Sequence, residues 1–318
     1  MKKNYLLELY RLLIAISIGL FHLSDLWGKN PEIWFYRNNG RLGVEFFFIL
    51  SGMLLFFHCG RHKTETPLRY MFNKLKFFFP YILILFFLNG IRSAIFLNEP
   101  ILPYLFERMH YLYFMSEPLE GIVPTIAGMG PLWYVNALVI VSPILHYLLS
   151  YHKKVYKNIL APLFVIVGYA MIIRCNGNIN ASQFVYILNQ EFFFPLIYIR
   201  CLAGMSLGTT IGMIYKKATH YHYSYMTCIG GSVLSCFLLM AGLILSFRDT
   251  TKPISSGGGK SLLVVGLYAG AILFAAIFAG DFPKKRLLKQ ACGWAGKAAL
   301  LFYLTHQCVL HLMNACLE

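Results

Sequence analysis

The sequence predicts an all-α fold: a polytopic transmembrane helical bundle of about nine to ten spans, forming a single domain over residues 1–318. Three observations carry this. Hydrophobic residues make up 58% of the chain and charged residues only 13%, against roughly 25% charged in soluble domains. Long apolar runs recur from end to end, and no gap between them is wide enough for a sizeable soluble domain. Lys and Arg gather in alternate loops between those runs, the pattern that orients membrane helices.

The first run, 6–24, follows Lys2 and Lys3 as a signal peptide would. No small-x-small cleavage site follows, and the run carries Arg11 and His22, so it reads as a retained helix. Further spans are expected at 43–58, 77–97, 131–149, 159–174, 192–214, 223–247, 261–280 and 298–316, with 43–58 and 159–174 near the short limit for crossing. The segment 101–115 is aromatic and mixed, as suits an interfacial helix, and Ser255-Ser256-Gly257-Gly258-Gly259 reads as a flexible turn. The 27 Phe and 21 Tyr fit a chain whose rings sit at membrane interfaces. The 8 Cys are scattered with no CxxC pair, and read as small apolar helix residues.

A net charge of +15 raises the question of nucleic acid, but the charges sit in short loops between spans, so no nucleic-acid partner is expected. Cations concentrate at the N-terminus and in loops 59–76, 150–158, 215–222 and 281–297. The alternate loops hold fewer and carry most of the acids, including Glu99, Glu107, Glu117 and Glu120. This bias puts the N-terminus in the cytoplasm of a multi-pass cell-membrane protein. Nine crossings then put the C-terminus outside.

Arg11 and His22 are the first candidates for chemistry. An Arg at the centre of a membrane helix costs roughly 2.5–3.5 kcal/mol or more, so something must compensate. The two residues are about three helical turns apart, on one face and ~16 Å apart along the axis. One reading is a buried cation plus a base near the outer surface. The plainer one is that Glu8, three residues before Arg11, neutralises it, while His22 hydrogen-bonds in a helix interface.

Other constellations follow along the chain. Gly40-Arg41-Leu42-Gly43-Val44-Glu45, continuing to Ser51-Gly52, has glycines for close helix approach. Glu45 could orient a neighbouring imidazole, with Asp25 as its rival, or be a solvated helix-end charge. Arg69, Lys74 and Lys76, ahead of Pro80-Tyr81, suit an anionic nucleotide or an ordinary inside-positive loop. Trp133 in Pro131-Leu132-Trp133 reads as a belt residue or a site residue. Arg200 lies on a small-residue helix with Gly204 and Gly208, and Tyr303-Leu304-Thr305-His306-Gln307 lies in the last span, where His306 reads as a packing hydrogen-bonder. His58/His62 and His220/His222 have spacings a metal can use, but no carboxylate partner in a helical pattern, so no metal is expected.

Together these segments resemble acyltransferase family 3, the integral-membrane O-acyltransferases of extracytoplasmic polysaccharides. The likeness runs from residue 5 to 308. It is most specific in Arg11 and His22 with Gly43-Val44-Glu45, Phe47-Phe48, Leu50-Ser51-Gly52, and continues through Pro80-Tyr81, Pro131-Leu132-Trp133, Arg200 with Gly204 and Gly208, and Tyr303-Leu304 with His306. Glu45 stands where many members have Asp, Lys74 and Lys76 where many have Arg, and Asn136 in a region where one branch has a Glu pair. The resemblance implies acetyl-CoA (an acyl-CoA) as cytoplasmic donor and a hydroxyl of a surface or lipid-linked glycan as acceptor. On it, His22 is base or nucleophile, Arg11 positions the donor or stabilises an oxyanion, and Lys74, Lys76 and Arg69 meet CoA phosphates. Glu45, Asp25, Trp133 and Arg200 bind or orient substrate. A reading from another class is a lipid-linked sugar flippase or glycan exporter, which also needs intramembrane cations but no CoA site.

Overall fold

The computed structural model describes residues 4–27, 42–96, 99–109, 131–177, 179, 184–187, 190–193, 196–247, 257–279 and 286–317. The helices are α1 (Tyr5–Trp27), α2 (Gly43–Arg61), α3 (Pro67–Phe96), α4 (Ile101–Glu107), α5 (Leu132–Tyr151), α6 (Lys153–Val155), α7 (Ala161–Asn176), α8 (Leu196–Ala218), α9 (Tyr225–Phe247), α10 (Gly257–Phe278) and α11 (Arg286–Leu317). A π-helical turn, Tyr156–Leu160, joins α6 to α7. An antiparallel hairpin, β1 (Phe184–Ile187) and β2 (Gln190–Phe193), precedes α8.

Each expected apolar run falls mainly in one helix; residues 192 and 193, placed in the sixth span, belong to β2, residues 131, 223, 224 and 279 flank helices, and 97, 194, 195 and 280 lie outside the described residues. Several helices run on past the apolar stretch. Lys153, Lys154 and Lys157, expected in a loop, are helical, as are Arg69, Lys74 and Lys76 in α3 and Lys289 and Lys297 in α11. Lys and Arg are good helix formers, so hydropathy falls at the membrane edge while the backbone ladder continues. Gly257–Gly259, expected in a turn, open α10. The interfacial segment is helical over Ile101–Glu107, and the rest of 110–115 lies outside the described residues.

Eight described helices are long and apolar enough to cross a membrane: α1, α2, α3, α5, the α6–α7 unit, α8, α9 and α10. The ninth expected span, 298–316, lies within α11 (Arg286–Leu317), which is not among these eight.

Local chemistry sets the helix ends. The Asn4 side chain accepts from Leu7 N–H (3.1 Å), starting α1, and donates to the Ala275 carbonyl of α10 (2.7 Å). Thr66 Oγ1 accepts from Arg69 N–H (3.3 Å) just ahead of Pro67 at the first position of α3. Gly177, at φ 73°, ends α7 in the left-handed conformation, and its N–H reaches the Ile173 carbonyl (2.7 Å).

The centre of the bundle is α2, α5 and α8. Of the spanning windows, 67% of α2 and α5 is buried, against 22% for α6–α7 and α9, so the latter two lie at the periphery, showing lipid-facing side chains such as Ile166 and Phe237. The α2–α8 crossing depends on glycine. A Cβ on Gly208 would stand 1.8 Å from the Ile49 carbonyl oxygen, and one on Gly52 would stand 1.9 Å from that of Met205. Only glycine permits this backbone approach, as expected for Gly52, Gly204 and Gly208.

Candidate functional site

The residues picked out in the sequence divide between the two ends of the bundle. His22 closes α1, Glu45 opens α2, Trp133 opens α5 and Arg200 opens α8, and all gather at one end. Arg11 with Glu8, and the start of α3 with Lys74, lie toward the other.

At the first end, α11 packs along α1 and brings His306 and Gln307 to His22. The Gln307 amide nitrogen lies 3.2 Å from His22 Nδ1 and 3.1 Å from Nε2. The His306 ring is 5.1 Å from that of His22. His306 is buried and its Nδ1 lies 2.7 Å from the Tyr303 carbonyl, within its own helix. Its Nε2 has no hydrogen-bond partner among the described residues. Close packing here again needs glycine: a Cβ on Gly19 would lie 2.7 Å from the Phe302 ring.

Glu45 is not a solvated helix end, and its partners are not the expected imidazole. It is fully buried; its Oε1 accepts from Arg200 Nε at 2.5 Å and its Oε2 from the Tyr169 hydroxyl at 2.6 Å. Arg200, 3% exposed, also stands over the Trp133 ring, 5.5 Å from its centroid. The physical reason is proximity through glycine: Gly204, one turn beyond Arg200, lies where a Cβ would be 3.2 Å from Glu45 Oε2. Asp25, the rival for the orienting role, lies in α1, but its side chain is outside the described residues, as are Gly40 and Arg41. Ring contacts link the two groups. His306 meets Tyr303 (5.9 Å), Tyr303 meets Tyr134 (5.4 Å), and Tyr134 meets Trp133 (6.4 Å).

At the other end, Arg11 pairs with Glu8 at 2.8 Å, the partner anticipated by the plainer reading, with both side chains partly exposed. The pair borders a cavity of about 250 Å³ that Leu50, Leu54, His58 and Arg61 also line. Arg11 and His22 thus share a helix but no contact: Arg11 reaches back toward the N-terminus while His22 sits ~16 Å further on. A neighbouring cavity of about 600 Å³ carries Arg61, Lys63, Lys153 and Lys216. Phe57 and Arg61 line both.

The expected donor cluster does not form as a unit. Residues 74 and 76 continue α3 and so point ~200° apart around it. Lys74 is half-buried, with Nζ 5.5 Å from the Tyr70 ring centroid, and lies within electrostatic reach of Arg11. Lys76 and Arg69 are exposed. The cations of the larger cavity come from three separate segments, so no local pattern announced them.

The profile of the acyltransferase 3 family, described as an acyltransferase domain, matches residues 4–318. The chain belongs to the acyltransferase 3 family. No curated protein and no solved structure matched it. The chain is therefore a membrane acyltransferase.

One further cluster in this acyltransferase corrects the sequence reading. His58 was set aside for want of a carboxylate, yet Glu65 Oε2 contacts its Nε2. The chain turns back on itself, His62 N–H bonding the His58 carbonyl (2.9 Å) and Glu65 N–H the His62 carbonyl (3.2 Å). Asn73 Nδ2 donates to Glu65 Oε1 at 2.8 Å. Burial raises the Glu65 carboxyl, but these hydrogen bonds and the His58 charge outweigh it and hold it below the usual value. His146 of α5 completes the group. Glu65 stands seven residues after His58, a spacing that shares a helix face, but here a non-helical turn brings it back, and His146 comes from a distant helix that no local spacing reveals.

Proposed function

We propose that this enzyme is an O-acetyltransferase that takes acetyl from cytoplasmic acetyl-CoA and passes it to a hydroxyl of a surface or lipid-linked glycan at the opposite side of the membrane. The observation that carries the reading is the His22–Gln307–His306 cluster, three polar side chains brought together from two helices at one end of the bundle.

The separation along α1 divides the labour. An oxyanion donor must lie ~2.7–3.1 Å from the developing charge, and a base within ~2.6–3.2 Å of its proton. Arg11 and His22, ~16 Å apart on one rigid helix, cannot both meet the reacting atoms. Arg11 therefore positions the donor and His22 acts on the acyl group or hydroxyl. Gln307 can turn either its N–H or its carbonyl oxygen to the ring. With the carbonyl accepting from one ring N–H, the other nitrogen keeps its lone pair. As a base it takes the hydroxyl proton while the oxygen attacks the thioester carbonyl; the thiolate then leaves and recovers that proton as CoA thiol. As a nucleophile it carries the acetyl first and releases the thiol before the acceptor arrives.

The two cavities that share Phe57 and Arg61 support a donor path: phosphates among Arg61, Lys63, Lys153 and Lys216, and the acyl arm passing Arg11. Lys74 adds charge beside Arg11, while the outward-facing Lys76 and Arg69 contribute to the general field. Glu45 and Arg200 hold α2 to α8 and set Trp133 beside the acceptor end.

The test is thiol release by the purified enzyme in detergent given acetyl-CoA. We expect slow hydrolysis in water, faster release with a glycan acceptor, and loss of both in His22→Ala. Absence of thiol release with any hydroxyl acceptor would return the exporter reading, which needs no CoA site.

A further inference from the structure

His58, Glu65 and His146 each present one ligand atom to a common point, and these atoms all lie within 4.8 Å of one another. They come from the last turn of α2, the loop before α3, and the second half of α5. The contact between His58 and Glu65 gives two of the three a partner in each other. It does not account for His146. That residue is 0% exposed, and neither Nδ1 nor Nε2 has a hydrogen-bond partner among the described residues. Its ring is 6.1 Å from that of His58. A buried imidazole with both nitrogens unsatisfied is costly, and such groups call for a partner.

The surroundings are those of a ligand set. Asn73 holds Glu65 Oε1 at 2.8 Å, leaving Oε2 directed at His58. Tyr70 stacks on His146 (5.0 Å between centroids, 25° between planes) and His62 lies against His58 (4.6 Å, 32°). Fixed ring planes and a hydrogen-bonded carboxylate are what the outer shell of a metal site provides.

We propose that His58, Glu65 and His146 bind a divalent transition ion of the zinc class, which ties the α2–α3 turn to α5 beside the Arg11 cavity. Two imidazoles and a carboxylate select zinc-class ions over magnesium or calcium. Zinc binds such ligands at about 2.0–2.2 Å, so the three ligand atoms must stand roughly 3.3–3.5 Å apart in a tetrahedron. Glu65 and His58, now in direct contact, must part to make room for the ion, and side-chain rotation of Glu65 and the half-buried His58 supplies that rearrangement around a fixed His146. Three protein ligands leave the fourth position to water. Because His58 also lines the Arg11 cavity, that position lies next to it. The site is independent of the assignment of donor and acceptor above.

The experiment uses the full chain, purified in detergent and stripped with chelator, with Co2+ as the spectroscopic probe and Zn2+ as the competitor. We expect one Co2+ per chain with tetrahedral ligand-field bands, displaced by Zn2+, and a rise in unfolding temperature on adding Zn2+. His146→Ala should abolish the bands, and Asn73→Ala should weaken affinity about 10- to 100-fold. His152→Ala, an exposed histidine outside the cluster, should bind as the wild type does. Should His146→Ala fail to fold, Glu65→Gln at the rim gives the same readout in a milder variant. No Co2+ bands and no Zn2+-dependent stabilisation of the wild type would overturn the proposal. So would equal Co2+ binding by wild type and Glu65→Gln.

Discussion

Replacing Arg200 with Met tests whether the Glu45–Arg200 pair is what joins α2 to α8 at the acceptor end. Glu45 is fully buried and has two partners, Arg200 Nε at 2.5 Å on one oxygen and the Tyr169 hydroxyl at 2.6 Å on the other. Removing Arg200 leaves the buried carboxylate with the neutral Tyr169 hydroxyl as its remaining donor among the described residues. Breaking a buried pair in this way costs about 3–5 kcal/mol. Tyr169→Phe removes only a hydrogen bond to a charged group and should cost about 1.5–3 kcal/mol. The double variant Glu45→Met with Arg200→Met removes both charges together. Apolar replacement of a buried ion pair is often neutral or stabilising by about 1–4 kcal/mol, so the double should be more stable than Arg200→Met alone. Equilibrium unfolding of the wild type, Glu45→Met, Arg200→Met and the double variant in mixed detergent gives the cycle, with Tyr169→Phe measured beside it. A cost below about 1 kcal/mol for Arg200→Met, or a double variant equal to the sum of the singles, would refute the reasoning.

Four further outcomes are expected. Gly208→Ala puts a Cβ 1.8 Å from the Ile49 carbonyl and should destabilise by at least about 1–3 kcal/mol, whereas Gly266→Ala meets nothing within 4 Å and should be neutral or stabilising by up to about 1 kcal/mol; thermal unfolding compares them. His22→Ala should lower kcat for acetyl transfer to background, while Arg11→Gln should act mainly on KM for acetyl-CoA; steady-state kinetics separate the two, and retained transfer in His22→Ala would remove the base or nucleophile role. Lys63→Gln with Lys153→Gln and Lys216→Gln should raise that KM several-fold more than Lys76→Gln with Arg69→Gln, since the first set lines the larger cavity. A Cys introduced beside Glu117 should be labelled from intact cells and one beside Lys285 should not; the reverse pattern would invert the donor and acceptor sides.

The sequence by itself determined the membrane bundle, because apolar content and loop charge are local quantities that need no partner. It also pointed to Arg11, His22, Glu45, Trp133, Arg200 and His306, since ionisable or glycine-flanked positions stand out against an apolar background. It misjudged helix length at residues 69–76 and 153–158, because hydropathy tracks the membrane edge and not the backbone ladder. Tertiary structure alone decided partners. Whether Glu45 would meet an imidazole or a guanidinium depended on α8 approaching α2 within glycine contact. That His22 would meet Gln307 and His306 depended on α11 lying along α1. Lys74 and Lys76 stood two residues apart, yet the helix set them on opposite faces. His58, Glu65 and His146 became one cluster only when a turn after α2 folded back against α5. Pairing across a bundle is set by helix crossings, and these follow from where backbones can approach, which no single segment encodes.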